Sequence, residues 1–556
     1  MKPILIRADA GGEIGTGHVM RMIALAQAYK RRGGRAIIAT STCPEAVARR
    51  ITSLGIEHQA LSSDQPGSPE DAAETRSLAD ALGISWLVLD GYHFSLPYQQ
   101  NFKDAPCKLL VTDDHGYCDE WCCDALLNQN LDSNLTPTGT HQVETHQLLL
   151  GSSFCLLREE FLEKTNTPRS ASPLKNILVT MGGSDPDNAT QAVLDLLDQS
   201  DASPLHIRVL AGAANPHLQQ LRQHISSHEI EIVVNAEDMP HQLAWANGII
   251  SAGGSTCWEW LHAGLPGAIV TLAENQVPIV RALSETRKAA LALGWPRDFS
   301  TTQKLNSWLA NPASVIEKDD ALGIVDGHGA DRVATLLHGT LKINIITATE
   351  GWIKTLLHDW CSELTELGHE VSLFDSKKSL PTGDILLVIS CWELLDNATL
   401  AKHSHNLVAH GSDLPAGKGW SPVTWQILEG QHKIPVTIFE AEAQVDAGDI
   451  YHQNHFELTG RELLPEIHEK LARTTFGLCH HFITHYPMIV GTKRKQEGEE
   501  SFYQRRTPSD SELDPARPLN EQINILRVAD NDAYPAFFIH QGQKYILKIE
   551  HAPEAS

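Results

Sequence analysis

Short, uniformly apolar runs alternate with amphipathic stretches along this chain, and the alternation starts afresh three times. KPILIRAD, RAIIAT, SWLVLD, KLLVTDD and DALLNQN are apolar throughout rather than at every second position. That pattern belongs to parallel strands covered on both faces. HVMRMIALAQAYKRRG, between the first two runs, has a helical period and closes with basic residues and glycine. The Thr-, Ser- and Pro-rich EKTNTPRSASPLK (163–175) reads as a linker, after which NILVTMGG, LHIRVLAG, IEIVVNA and GIISAGG resume the pattern. Two such halves predict a pair of Rossmann-like domains facing a cleft. A third start is LKINIITAT (341–349), followed by helix-like WIKTLLHDWCSELTELGH and then EVSLFD and DILLVISCW. GTKRKQEGEES (491–501) is a charged break, and AYPAFFIHQGQKYILKIE beyond it predicts a hairpin with polar Gly-Gln at its turn. The expected domains are 1–162, 163–340, 341–492 and a small β-rich 493–556, with no internal repeat or low-complexity tract.

Composition narrows the class. At roughly 150 residues per domain, 556 residues accommodate three or four domains. With 44 Lys+Arg against 69 Asp+Glu, the net charge of −25 disfavours nucleic acid or an anionic membrane as partner. The 42% hydrophobic and 20% charged residues suffice for sizeable cores. No apolar run approaches the roughly 18 residues that cross a bilayer. The N-terminus turns polar too early for a signal peptide. Ten scattered Cys fit reduced thiols, and the expectation is a cytoplasmic multidomain protein.

Two glycine-rich segments carry the chemistry of the first half. In RADAGGEIGTGHVMR (7–21), Gly11, Gly12, Gly15 and Gly17 lie between a strand and a helix, where bare backbone N–H groups can approach a ligand. The segment is neither a dinucleotide fingerprint nor a Walker loop. His18 follows at the loop–helix junction, and spacing alone leaves it open between a structural and a catalytic role. In SAGGSTCWEWLHAGLPGAIVTLAENQ (251–276), Gly253, Gly254, Ser255 and Thr256 either offer amides and hydroxyls to a diphosphate or merely cap a helix. Glu259, one turn on, can accept a bidentate bond from a ribose diol, and Asn275 and Gln276 follow the next strand.

These strings, with DGY (90–92), LLREEF (156–161), MGGSDPDNAT (181–190) and DGHGADRV (326–333), resemble the UDP-2,4-diacetamido-2,4,6-trideoxy-β-L-altropyranose hydrolases of pseudaminic acid biosynthesis over roughly 1–338. Those are GT-B-fold enzymes related to the lipid-II-forming N-acetylglucosaminyltransferase. The resemblance implies hydrolysis of a UDP-linked trideoxy sugar, with His18 activating water and Gly17 and Tyr92 near the sugar. It also implies that Gly254, Ser255, Thr256, Glu259, Asn275 and Gln276 hold UDP or line the sugar pocket.

Further on, NLVAHGSDLPAGKGWSPVTWQILEG (406–430) and VDAGDI, with His410 and Asp446, are similar to the folate-dependent formyltransferases that act on methionyl-tRNA and on sugars. FYQRRTPSDSELD (502–514) resembles the segment after the catalytic domain of the sugar enzymes, and the resemblance covers about 342–552. It implies N10-formyltetrahydrofolate as co-substrate, His410 as the group that takes the amine's proton, and Asp446 as its orienter or a proton assistant. The family carries Asn two residues before this His, where Val408 stands here. Asn406, after a register change, and Ser412 are the candidate substitutes for stabilising the formyl oxygen.

Together the resemblances imply an α/β chain: a GT-B-like pair of Rossmann-like domains, a formyltransferase Rossmann-like domain and a small β-rich C-terminal domain. They imply a bifunctional enzyme acting on a UDP-linked amino sugar, with UDP and folate as its other ligands. The alternatives are a hydrolase with an inactive formyltransferase-like scaffold, a nucleotide-sugar glycosyltransferase, and a nucleotide-sugar sensor. A tRNA substrate fits poorly with the charge of −25. No metal is expected: Cys118, Cys122 and Cys123 lack a second ligand pair, and Asp185, Asp187 and Asn188 lack the rest of a calcium loop. Asp113, Asp114 and His115 either line the cleft or cap a helix, and His480 and His481 read as a solvated helix face.

Overall fold

The computed structural model describes residues 2–552 apart from 12–13, 115, 119, 131–146, 163–172, 203, 213–214, 237, 300–301, 315–323, 348–351 and 443. Gly12, His115 and most of the expected linker therefore lie outside the described residues. The chain forms two compact units, Met1–His338 and Gly339–Ser556.

In the first unit, the five apolar runs become β1 (Ile4–Ala8), β2 (Ala36–Thr40), β4 (Trp86–Asp90), β5 (Lys108–Thr112) and β6 (Ala125–Asn128), and the sheet gains two strands that the runs did not mark, the polar β3 (Glu57–Ala60) and β7 (Gln147–Leu150). They pair in parallel in the order β3-β2-β1-β4-β5-β6-β7. β1, β2 and β4 are buried along their whole length, which is why their sequences do not alternate. The winding reverses between β1 and β4, so a crevice opens beyond their C-terminal ends. A second parallel sheet repeats the plan with β8 (Asn176–Thr180), β9 (His206–Ala211), β10 (Glu229–Val234), β11 (Gly248–Ala252), β12 (Gly267–Val270) and β13 (Ala290–Gly294). Its order, β10-β9-β8-β11-β12-β13, puts the reversal between β8 and β11. Those two strands lead into MGGS and GGST.

The helix Gly17–Arg31 buries Val19, Met22, Ile23, Leu25 and Tyr29. Each such large apolar side chain stabilises by about 1.5–3 kcal/mol. Basic Lys30 and Arg31 in its last turn complement the helix dipole. The helix Gly329–His338, which the sequence pattern assigns to the second half, packs instead on Gly17–Arg31. Arg332 there donates to Ser153 O at 2.6 Å, and a Cβ on Gly329 would stand 2.2 Å from Cys155 O. Conversely Cys155, Leu157 and Phe161 already belong to the core of the second half. The halves are thus joined by two crossings, and the boundary near 162 is shared rather than sharp.

The second unit holds β14 (Lys342–Ile346), β15 (Glu370–Phe374), β16 (Gly383–Val388), β17 (His403–His410), β18 (Lys418–Gly419), β19 (Lys433–Glu440), β20 (Ile450–Glu457) and β21 (Phe502–Tyr503). Its main sheet runs β15-β14-β16-β17-β19-β20, parallel as far as β17 and antiparallel beyond. The helix Leu464–His485 covers one side, and β18 pairs with β21. The final hairpin is β22 (Ala536–His540) and β23 (Gln543–Leu547). Its turn is Gln541–Gly542, both at positive φ, one residue earlier than the expected Gly-Gln. Among the described residues no helix is long and apolar enough to cross a membrane.

Candidate active sites

Beyond β1 the backbone is pinned before it reaches the glycines. Buried Asp9 accepts from Ser41 N at 2.7 Å and Thr42 N at 2.9 Å, and pairs with Arg7 at 2.7 Å. Burial alone would raise its carboxyl, but His93, Arg7 and Thr42 hold it down to about 2. Gly11 and Gly15 close the loop on each other, and Gly15 does so at φ +78, where a side chain would be strained. Gly17 opens the helix with nothing within 4 Å of where a Cβ would be, so no packing requires glycine there.

His18 and Arg21, one turn apart on that helix, both reach Asp90 at the end of β4. His18 Nδ1 lies 2.8 Å from Asp90 Oδ1. A carboxylate only accepts, so the ring proton sits on Nδ1 and the lone pair on Nε2. Arg21 donates to the same carboxylate from Nε at 2.6 Å and Nη2 at 2.5 Å, and from Nη1 to Asp114 Oδ2 at 2.6 Å. Burial would lift the Asp90 carboxyl, yet Arg21 and His18 hold it far below the ordinary range. Tyr92 sets its ring edge-on to His18 at 4.9 Å and donates to Asp114 Oδ2 at 3.3 Å. It is 39% exposed, and burial, with the Asp114 carboxylate beside it, pushes its phenol well above the usual range. Asp113, by contrast, caps its own loop through Gly116 N and Trp121 Nε1.

In the second half, a Cβ on Gly253 would meet Val280 Cγ2 at 2.8 Å and Gln276 Cβ at 3.3 Å. The absence of one lets the 274–280 turn close on Gly253. Ser255 precedes the short helix Thr256–His262 and makes no side-chain capping bond. Gln276 Oε1 accepts from Leu272 N at 2.9 Å, bracing its own turn, and Asn275 is exposed. Glu259 already has a partner, Arg158 Nη2 at 3.2 Å. Asp185 caps the helix Ala189–Asp198 through Ala189 N and Thr190 N, which accounts for SDPDN without calcium.

In the second unit a cavity of about 790 Å³ opens beside the end of β17. His410 and Val408, two apart and so on one face of the strand, both line it, as does Asp446. Trp352, stacked on His468 at 4.0 Å, walls one part, and exposed Trp392 and Trp420 wall others. Burial pushes His468 down to about 4, so it is neutral. His410 Nε2 lies 3.0 Å from Gly417 O, which places the ring proton on Nε2 and leaves Nδ1 as the basic nitrogen. Asp446, at φ +54, accepts from Gly419 N at 3.0 Å. The His410 ring is thus held by the Gly417 carbonyl, and Asp446 bonds the backbone two residues further on. Neither proposed oxyanion substitute lies in this wall. Asn406 donates to Leu400 O at 3.0 Å deeper along β17, and Ser412 lines a separate cavity of about 590 Å³.

Asp90, Arg21 and Arg158 are the functional candidates that spacing did not isolate. Asp90 stood in the DGY string and Arg21 one turn after His18, but only the β1–β4 adjacency joins them. Among the described residues no group of His, Cys, Asp and Glu is placed to hold a metal ion.

Residues 176–286 match the glycosyltransferase family 28 C-terminal domain, and residues 372–476 match the formyl transferase domain. The chain is similar to an uncharacterized protein of Methanocaldococcus jannaschii, 26% identical over 282 residues. That match takes in 49% of this chain and 56% of the archaeal protein, so the chain spans about half of that relative's length. It is also similar to the spore coat polysaccharide biosynthesis protein SpsG of Bacillus subtilis, 25% identical over 344 residues, covering 60% of this chain and 96% of that one. Among solved structures, methionyl-tRNA formyltransferase from Clostridium thermocellum aligns at 22% identity and a TM-score of 0.33, covering 39% of this chain and 96% of that one. The first unit thus contains a glycosyltransferase-28-like domain, and the second contains a formyltransferase domain.

Proposed function

From these two domains we propose a bifunctional enzyme of pseudaminic (nonulosonic) acid biosynthesis. It formylates the C4 amine of a UDP-linked 4-amino-4,6-dideoxy-N-acetyl-altrosamine and hydrolyses the UDP-sugar to UDP and free sugar. The observation that carries the hydrolase half is the His18–Asp90–Arg21 arrangement at the first switch point, a basic imidazole nitrogen whose partner carboxylate is kept ionised. His18 Nε2 takes a proton from water as the oxygen bonds to the anomeric carbon. The bond from that carbon to the diphosphate oxygen breaks, and its electron pair leaves on UDP. Asp90 stabilises the imidazolium that results, as a carboxylate does in hydrolytic triads. Gly254, Ser255, Thr256 and Glu259 are assigned to the UDP, with Asn275 and Gln276 beside them, and Gly17 and Tyr92 to the sugar. The relation to a polysaccharide biosynthesis protein supports a sugar substrate. Ten scattered cysteines suit a reducing compartment such as the cytoplasm.

The C-terminal cavity fits N10-formyltetrahydrofolate. Its volume of about 790 Å³ is that of a small-molecule site, and the aromatic side chains of Trp352, Trp392 and Trp420 line it. When bound, that co-substrate supplies the formyl group. His410 Nδ1 takes the proton that the acceptor amine loses, while Gly417 O fixes the ring and Asp446 fixes Gly419. Val408 favours a second reading, a domain that binds these ligands without transferring, because it brings no donor to a developing oxyanion. Incubation with UDP-4-amino-4,6-dideoxy-N-acetyl-β-L-altrosamine, with and without N10-formyltetrahydrofolate, followed by mass spectrometry, tests both. Formylated sugar plus UDP is expected. UDP release without formylation selects the second reading, and an unchanged UDP-sugar overturns the proposal.

A further inference from the structure

Arg158 takes no part in the chemistry above, yet it is paired with Glu259, one turn into the helix that GGST opens. It lies in the segment that leaves the first half, with its side chain only 12% exposed. Nη2 lies 3.2 Å from Glu259 Oε1, Nη1 lies 3.0 Å from Glu160 Oε1, and Cζ stands 5.0 Å from the centre of the Phe161 ring. Arg50 reaches the same Glu160 oxygen at 3.0 Å. Glu259 is thus faced by one cation, Arg158, and one anion, Glu160, whose own charge Arg50 shares.

We infer that Arg158 is a positioning residue for nucleotide binding, holding Glu259 as an oriented carboxylate for a ribose diol. The inference rests on the reading of the second half as the nucleotide-binding half. A hydroxyl donated to a carboxylate makes a bond roughly twice as strong as one donated to a neutral acid. A buried carboxyl without a cation sheds its charge rather than remain unpaired. Burial already lifts Glu259 above its ordinary range, Arg158 opposes that lift, and Glu160 adds to it. Without Arg158 the carboxyl would be left beside Glu160 alone and would protonate at a higher pH.

The experiment is calorimetric titration of the full chain with UDP from about pH 5 to pH 8. In the parent, affinity should fall on the acid side as Glu259 takes a proton. Arg158→Met should weaken UDP binding about tenfold near neutrality and move that acid limb to higher pH. Arg158→Lys, the variant least disruptive to the fold, should keep the limb near its parental position. Glu259→Gln should bind weakly with no acid limb, and adding Arg158→Met to it should cost nothing more. Parental affinity and an unshifted limb in Arg158→Met would overturn the inference, as would tighter binding, which would make the ion pair a competitor of the ribose. A parent chain that binds no UDP at any pH would remove the nucleotide reading itself, and this inference with it.

Discussion

With Asp90 replaced by Asn, the His18 imidazole would lose the carboxylate that fixes its proton on Nδ1. Asp90→Asn should therefore lower the rate of UDP release by about 10²–10⁴ with KM little changed, and His18→Asn should do the same. Steady-state release of UDP checks both, and a rate within a few-fold of the parent removes either residue from the mechanism. His18 was legible as a candidate because a glycine-rich loop and a helix start flank it. Asp90, 72 positions away, was not, because its partnership exists only through the adjacency of β1 and β4. The same limit applies to the partner of Asp446. Its motif was visible, but which atom it binds depends on how the 417–419 turn folds back, and that turn has no periodic signal.

Glycines at two helix starts should answer substitution oppositely. Gly329→Ala would drive a Cβ into the Cys155 backbone and should destabilise the first unit by about 1–3 kcal/mol, seen as a lower melting temperature. Gly17→Ala meets nothing within 4 Å and should be neutral or stabilise by about 0.4–1 kcal/mol. If Gly17 admits a ligand to the helix start, the same change should slow UDP-sugar hydrolysis, so stability and activity would move apart. Central strands such as β1, β2, β4 and β16 were legible because strands buried on both faces read as unbroken apolar runs, whereas polar, exposed β3 and the alternately exposed β20 were not. The allegiance of the helix Gly329–His338 was not, since its apolar face would serve against either half. His481, expected on a solvated helix face, has a strand partner for a related reason. His481 stacks on His452 of β20 at 4.6 Å, a contact made by strand placement rather than helical spacing.

Separate fragments 1–338 and 339–556 should each fold, because the chain divides into two compact units there. Acid should act on them in different ranges. Burial pushes His403 and His468 in the C-terminal fragment down to about 4 from an ordinary 6.5. Its unfolded form therefore takes up protons first, and stability should fall as pH drops from about 6.5 to 4. His468→Phe should shrink the fall in melting temperature between pH 7 and pH 5. In the N-terminal fragment, Asp9 is held down to about 2 from 3.8, so its contribution is complete above about pH 4 and is lost as pH falls toward 2. The two crossings between the halves of that fragment have one further consequence. Chain enters and leaves the second half from the side of the first, since Gly329–His338 returns to lie on Gly17–Arg31. In topology the nucleotide half is a guest inserted in a loop of its host. Such a guest can be exchanged for another between the same two seams, changing what is brought to His18 while the host keeps both ends of its own fold.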